Sequence, residues 1–497
     1  MTLGSRSTAV TVLALLLAAA LTRFVGLGHS PLDAGEASQS IAAWWTVTGA
    51  DEGLARLLPQ PESALLFSLD FLLFWLGTGA SDGLARLVPA AVGAALVLLP
   101  IGLRSAGWPA VVPLALLLAV DPWLVAQSRR SSGAILAVGA AVACHLLLRR
   151  LAGTSPGSAT AEASRRQWVA WSIAVGLLVV SGPAAWDFLP PVLAGAVLLT
   201  TGSRAGAAAG GRPRGLVLLG LAAATALAGA TTGLLQWRGP ALVSVALESW
   251  LASFTAGATQ AAASASAPVY DRFTLAYVLA LAGLAAWGLV RAWRAGAGAD
   301  RGWARSTATR VEAETLALWL LWGAALQLRP GRAAETWLAL QVPLLLAAAL
   351  GLEDLAERAA RGRSRAAQRV GVAAALTLAV AFGLGGVHRV ARDDARDGLP
   401  PVRRLAEDVA ALEERPESER PRIDVVSGER IDPLLAWYLR RSRVRWIAGD
   451  PTSAEAAEPQ IVLLTRTLAR EEMLALPPGR RYAIAASGDR VDVVEMR

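Results

Sequence analysis

Glu62-Ser-Ala-Leu-Leu-Phe-Ser-Leu-Asp70-Phe-Leu-Leu-Phe-Trp-Leu-Gly77 is apolar enough to cross a bilayer, yet it carries an aspartate in its middle. Whether it crosses decides which side every later loop lies on. Apolar runs of bilayer-spanning length recur at 8–27, 84–103, 108–126, 132–148, 168–186, 188–202, 215–235, 271–293, 313–328, 334–352 and 370–388. If 62–77 lies along the outer surface, 19 loop arginines fall on the cytoplasmic side and 8 outside; if it crosses, 18 of those 19 move outside. Basic loops stay on the cytoplasmic side, so the surface placement is the consistent one. It predicts an all-α polytopic membrane domain over 1–388 with about eleven transmembrane helices and a cytoplasmic N-terminus. A long first outer loop then covers 28–83 and a second, rich in Ala, Ser and Thr, about 236–270.

Composition agrees. Of 497 residues, 54% are hydrophobic and 17% charged, where a soluble chain carries about a quarter charged residues. The net charge of +8 comes from arginine alone, because the chain has no lysine; it has no asparagine either. The basic residues cluster between apolar segments, which is a topological pattern and gives no reason to expect nucleic acid. The single cysteine, Cys144, excludes an intramolecular disulfide, and His29, His145 and His388 are too scattered for a histidine metal cluster. The N-terminal apolar run lacks a small-residue cleavage site and is followed by further spans, so it reads as a retained first helix.

Beyond 388 the composition changes. Residues 389–497 are charged, with β-rich runs at 423–426, 444–447, 460–465 and 481–485 alternating with helical stretches at 401–414, 433–441 and 467–476. That alternation predicts a small α/β domain. After an odd number of spans it lies on the extracytoplasmic side. No glycine-rich phosphate loop, zinc spacing or nucleophile elbow occurs in the chain.

The chemistry concentrates in the first outer loop. Asp33 and Glu36 sit a few residues past the first span, at the start of an amphipathic helix, and acids so close to hydrocarbon mark a site. A carboxylate there could act as general base on an acceptor hydroxyl or hold a divalent cation, Mg or Mn, that neutralises a phosphate leaving group. Asp33 followed by Glu36 also imitates a capping box, and the roles are compatible. Arg129 and Arg130 lie outside against the charge trend; paired guanidinium groups at a membrane surface hold phosphate, or else snorkel. Arg329 and Arg332 form a second such exception. Asp187 and Asp271 read as interfacial acids, and the tryptophans near span ends as an aromatic belt.

Several of these blocks, taken in order, resemble the GT-C membrane glycosyltransferases, in particular the protein O-mannosyltransferase and aminoarabinose transferase group. They are Arg23…Leu27-Gly28…Pro31-Leu32 with Glu36-Ala37; the run from Pro61 to Phe67 with Ala85-Arg86-Leu87 and Pro89; and Leu118…Asp121-Pro122…Ser128-Arg129. Pro433-Leu-Leu-Ala-Trp437-Tyr438-Leu439-Arg440 is similar to a run found in a prokaryotic, flippase-associated subgroup of family 39. Aligned on Glu36, the family's catalytic Asp position holds Gly35, with Asp33 two residues earlier, and the acid the family carries after Ser-Arg is replaced by Ser131-Ser132-Gly133.

The resemblance implies an integral plasma-membrane enzyme of a prokaryote. It would pass a sugar from a polyprenyl-phosphate donor to a lipid, glycan or protein acceptor at the outer face, within the cell envelope. Asp33 and Glu36 would supply base or metal ligation, and Arg129, Arg130, Arg329 and Arg332 would hold the donor phosphate. Gly35 supports an alternative: a degenerate relative that binds lipid-linked sugar or scaffolds envelope glycan assembly. A transporter would need broken, polar helices at mid-membrane, and the Ala/Leu/Val-rich spans carry few charges.

Overall fold

The computed structural model describes residues 5–49, 59–102, 108–152, 161–202, 215–255, 272–297, 303–329 and 334–361, and, towards the C-terminus, 405–407, 409–411, 414, 423–427, 431–442, 444–448, 461–464, 480–487 and 490–496. The chain divides into two compact units. The first comprises Met1–Val25, Glu62–Leu66 and Leu87–Ala391; the second comprises Gly26–Pro61, Phe67–Arg86 and Arg392–Arg497.

The helices in chain order are α1 (Ser5–Phe24), α2 (Ala34–Thr48), α3 (Ala64–Leu73, continued by a π-turn Phe74–Thr78), α4 (Asp82–Ala85), α5 (Leu87–Ala95), α6 (Leu98–Gly102), α7 (Trp108–Val120) and α8 (Pro122–Ser128). They continue as α9 (Ala134–Ala152), α10 (Ala161–Val179), α11 (Pro183–Gly202), α12 (Gly215–Ala230), α13 (Gly239–Ala252), α14 (Arg272–Ala297), α15 (Trp303–Leu326) and α16 (Leu338–Arg361). Among the described residues four stretches are long and apolar enough to cross a membrane: Ala134–Ala152, Pro183–Thr201, Leu275–Arg294 and Glu335–Leu355. The bent pair Val111–Val120 and Pro122–Ser128 makes a fifth if counted as one span. The run read as one span at 84–103 is three short helical pieces, and the span expected at 370–388 lies outside the described residues.

In the first unit α14 lies along α16, α9 against α10 and α11, and α1 against α5 and α7. The α14–α16 contact depends on two glycines: a Cβ at Gly288 would strike the Ala347 carbonyl, and one at Gly351 the Leu284 carbonyl. Small residues let membrane helices approach at backbone distance, where dispersion replaces the absent hydrophobic drive.

The 57° bend between α7 and α8 has a local cause. Pro122 has no N–H to give the Leu118 carbonyl, so the helix must break there. Asp121 restarts it, accepting from Leu124 N at 2.9 Å. The Arg23 guanidinium, fully buried, takes over the abandoned acceptors, donating to Leu118 O at 2.9 Å and Ala119 O at 2.8 Å. Asp121 Oδ2 then accepts from Tyr277 Oη at 2.8 Å and Gln341 Nε2 at 2.7 Å, fastening the break to α14 and α16. No water is available in hydrocarbon to serve these groups, so they must be satisfied inside the protein.

In the second unit, helix α17 (Pro433–Tyr438) and five strands follow: β1 (Ile423–Ser427), β2 (Val444–Ala448), β3 (Ile461–Leu464), β4 (Arg480–Ser487) and β5 (Arg490–Met496). The sheet order is β2-β1-β3-β4-β5, parallel except for the β4–β5 pair. Val409, Val425, Leu435 and Leu439 form its buried core beside the helical residues. On α3, Asp70 is fully buried, and neither carboxyl oxygen has a hydrogen bond among the described residues.

Two outcomes follow from these buried polar groups. Arg23→Leu strands two buried carbonyls and should cost about 2–4 kcal/mol, read as a lower unfolding midpoint in detergent than that of Arg130→Ala, whose side chain is exposed. Asp70→Leu removes an uncompensated buried acid and should raise that midpoint, by about 1–3 kcal/mol. A lowered midpoint would mean that the carboxyl has a partner.

Candidate functional site

The segment Leu27–Glu36 is held by one side chain. Arg86 lies at the end of α4, 4% exposed. Its Nε and Nη2 donate to the two oxygens of Glu36 at 2.8 and 2.6 Å. Nη1 and Nη2 also donate to Ser30 O and Pro31 O, both at 2.7 Å, and Nη1 more weakly to Leu27 O at 3.3 Å. A planar fork of five donors suits a bidentate carboxylate and a ring of carbonyls together.

Glu36 is thereby a structural anion. Its Oε2 also accepts from Asp33 N at 2.9 Å, while Asp33 Oδ1 accepts from Glu36 N at 2.8 Å, a complete capping box at the start of α2. Glu36 is 4% exposed, whereas Asp33, just outside the helix, is exposed. Of the two expected carboxylates, Asp33 is the one that solvent or a substrate can reach. Gly35 is exposed beside it. This donor set does not make a resident divalent-cation site, because both oxygens of Glu36 are already engaged. Among the described residues no three His, Cys, Asp or Glu side chains gather as metal ligands.

The arginines divide by role. Arg129, 9% exposed, donates through Nη1 to the Val25 carbonyl at 2.8 Å, and at 3.4 Å to those of Thr22 and Arg23. Positive charge and N–H donors belong at a helix C-terminus, here that of α1. Arg130, next in the turn, is exposed. Arg329, 8% exposed, pairs with Asp187 at 3.2 Å, donates to Thr336 Oγ1 at 2.7 Å and stacks over Phe254. Asp187 also accepts from Trp250 Nε1 at 2.7 Å, and its carbonyl from Trp322 Nε1 at 2.8 Å. Asp187 is therefore a buried partner of Arg329, with α13 supplying Trp250 from a stretch expected to be an outer loop. Arg332 and Asp271 lie outside the described residues.

A second polar network in the unit of Asp33 escaped the sequence reading except for its Trp-Tyr-Leu-Arg run. Asp82 accepts from Trp437 Nε1 at 2.8 Å and Tyr438 Oη at 3.1 Å, and Tyr438 Oη accepts from Leu32 N at 3.0 Å. Arg440 lies 4.0 Å over the Trp437 ring and donates to Trp437 O at 2.6 Å and Ala80 O at 2.7 Å. Burial lowers the Arg440 guanidinium to about 10, with Asp82 opposing the shift, so it remains charged at neutral pH. A sequence signal for Asp82 existed: an acid at the first turn of a helix directly before the Arg86-Leu87 pair.

Neither a protein-family model nor a curated protein sequence matches the chain. Solved structures do. ArnT, an aminoarabinose transferase, from Cupriavidus metallidurans bound to undecaprenyl phosphate superposes with a TM-score of 0.60 at 16% identity, over 99% of this chain and 98% of that one. Its apo state gives 0.56 at 15% over the same shares. The archaeal oligosaccharyltransferase AglB from Archaeoglobus fulgidus, in complex with an inhibitory peptide and a dolichol-phosphate, gives 0.57 at 14%, over 89% of this chain and 64% of that one. Both are GT-C proteins. At such identities the shared property is the fold, which this chain has in common with ArnT over nearly its whole length.

Glu36→Ala leaves the Arg86 guanidinium buried without its counter-ion and should cost about 3–5 kcal/mol, whereas Asp33→Asn keeps an N-cap acceptor and should leave stability nearly unchanged. Chemical unfolding of the two purified variants separates them; equal midpoints would remove Arg86–Glu36 from its structural role.

Proposed function

We propose that this protein is a membrane glycosyltransferase that moves a sugar from a polyprenyl-phosphate donor to a hydroxyl of a lipid, glycan or protein acceptor at the outer face of the membrane. The observation that carries the reading is the exposed Asp33 carboxylate, seated by a capping box and the Arg86 clamp, in a chain with the GT-C fold. Support for the donor class comes from the ArnT structure bound to undecaprenyl phosphate and the AglB complex with a dolichol-phosphate.

In this reading Asp33 accepts the proton of the acceptor hydroxyl as its oxygen attacks the anomeric carbon. The bond from that carbon to the phosphate oxygen breaks, and the polyprenyl phosphate leaves with the bonding pair. A positioned base of this kind contributes about 10²–10⁴-fold. Arg130 is exposed and able to meet the phosphate; Arg129 seats the turn that presents it, and with Arg329 spent on Asp187 and Thr336, Arg332 would act at the second arginine position. About eleven spans, with the N-terminus cytoplasmic and the C-terminal α/β part outside, complete the proposed topology.

One observation favours a second reading, a degenerate relative that binds lipid-linked sugar without consuming it: Gly35 stands at the position where the resembling family has its catalytic Asp. A transfer assay on the purified protein in lipid, with a panel of radiolabelled polyprenyl-phosphate sugars, tests both. Consumption of one donor that falls at least 100-fold in Asp33→Asn, with unchanged unfolding, is the expected result. Full activity in that variant would overturn Asp33 as base, and donor binding without consumption would replace the transferase with the binder.

A further inference from the structure

Asp70, in the middle of α3, has no part in the proposed reaction, and its surroundings give it another use. Positions 67, 70 and 74 share one face at helical spacing, and Phe67, Asp70 and Phe74 are all buried to 2% exposure or less. The Phe74 ring lies 6.1 Å from that of Trp44 on α2 and 6.2 Å from that of Trp437 on α17. Asp70 is thus on the face by which this stretch of the second unit joins both neighbours. Neither of its carboxyl oxygens has a hydrogen bond among the described residues. We infer that Asp70 is a proton-held latch: as a neutral acid it lets α3 stay packed on α2 and α17, and on ionising it frees α3 from them.

An ionised carboxylate without a partner is too costly to keep in an apolar interface, so the group holds a proton instead. Burial accordingly pushes the Asp70 carboxyl well above the usual carboxylate range, and among the described residues no charge opposes the shift. The elements packed about α3 show why. The charged group of α2 is Glu36, whose oxygens are held by Arg86 and by Asp33 N. About α17, Asp432 caps the helix, Asp82 accepts from Trp437 and Tyr438, Arg440 lies over the Trp437 ring, and Arg441 donates to Ala80 O. The first turn of α3 meets uncharged stretches: Leu65 N donates to Val180 O at 2.8 Å, and a Cβ at Gly229 would lie 3.4 Å from Leu65 Cδ1. Asp51, Glu52 and Arg56, between α2 and α3, lie outside the described residues.

The sign of the pH dependence follows from the two states. Once this face opens to water, the carboxyl ionises in the ordinary range, so opening releases a proton. The packed state is therefore most stable below that range, and its stability is lost as pH rises through the raised pKa. Within that window the opening constant climbs about tenfold per pH unit, and above it the climb stops. The helix held through Trp44 is the one that Asp33 caps. The latch thus bears on the candidate base whatever reaction that acid serves.

Hydrogen exchange read by mass spectrometry on the full chain in nanodiscs, followed across pH and corrected for the intrinsic rate, tests the inference. The comparison is with Asp70→Asn, which keeps the shape of the neutral acid; Asp70→Leu should behave as Asp70→Asn does. For amides of α2 and α3, the ratio of opening in the unaltered chain to opening in the variant should grow about tenfold per pH unit. For amides of α9, in the first unit, that ratio should not change with pH. The infrared difference between the two proteins at neutral pH should show the band of a protonated carboxyl in the unaltered chain. A ratio independent of pH in α2 and α3, an equal growth in α9, or no such band would each overturn the latch. So would lost protection at every pH in both variants, which would reveal a cationic partner such as Arg56.

Discussion

The buried Arg86 guanidinium is the constraint on which the segment Leu27–Glu36 depends. A charge taken out of water is tolerated only when paired and hydrogen-bonded, and Arg86 meets that demand by drawing in Glu36 and the carbonyls of Leu27, Ser30 and Pro31. The seven residues Leu27–Asp33, which belong to no helix, are thus ordered around a single planar fork. The consequence for chemistry is a division of labour between two acids three residues apart. Glu36 spends both oxygens on order, and Asp33, fixed by the reciprocal capping bonds, keeps its carboxylate at the surface.

The first unit repeats the device where helices end or break. Arg23 serves the carbonyls released by Pro122, Arg129 those at the end of α1, and Arg329 joins Asp187 to Thr336. In a chain without lysine every one of these posts falls to arginine, whose five donors satisfy several acceptors at once. An arginine that violates the charge bias of membrane loops is thus marked by structural duty as readily as by ligand binding. Arg129 and Arg329 show the first directly, while Arg130, exposed beside Arg129, has its guanidinium at the surface.

What could be read from the sequence was local. The capping box of Asp33 and Glu36 is spaced by helix geometry, and the strands at 423–427 and 444–448 by their β-branched runs. The partners were not readable. Arg86 lies 50 residues from Glu36, Arg329 142 from Asp187 and Trp437 355 from Asp82. No periodicity encodes such pairs, because they are chosen by tertiary packing after the helices form. Apolar length also merges what backbone chemistry divides: 84–103 has the length of one span, yet its helix is interrupted after Ala85 and after Ala95.

The glycine at position 35 bears on whether Asp33 can do the work of the resembling family's carboxylate. Gly35 is in the first turn of α2 and Asp33 caps that turn, so the two positions converge on one side of the helix start. A Cβ built at Gly35 would have Asp33 Oδ1 as its near neighbour, at 3.4 Å. A carboxylate carried at 35 would therefore emerge beside the one already present, and two like charges at that range repel. At 3.4 Å that is ordinary van der Waals contact, so the Asp33 carboxylate lies beside residue 35 without excluding a side chain there. The acid at the N-cap is exposed, and its backbone is held by the capping box and by Arg86, which both act on the segment that bears it.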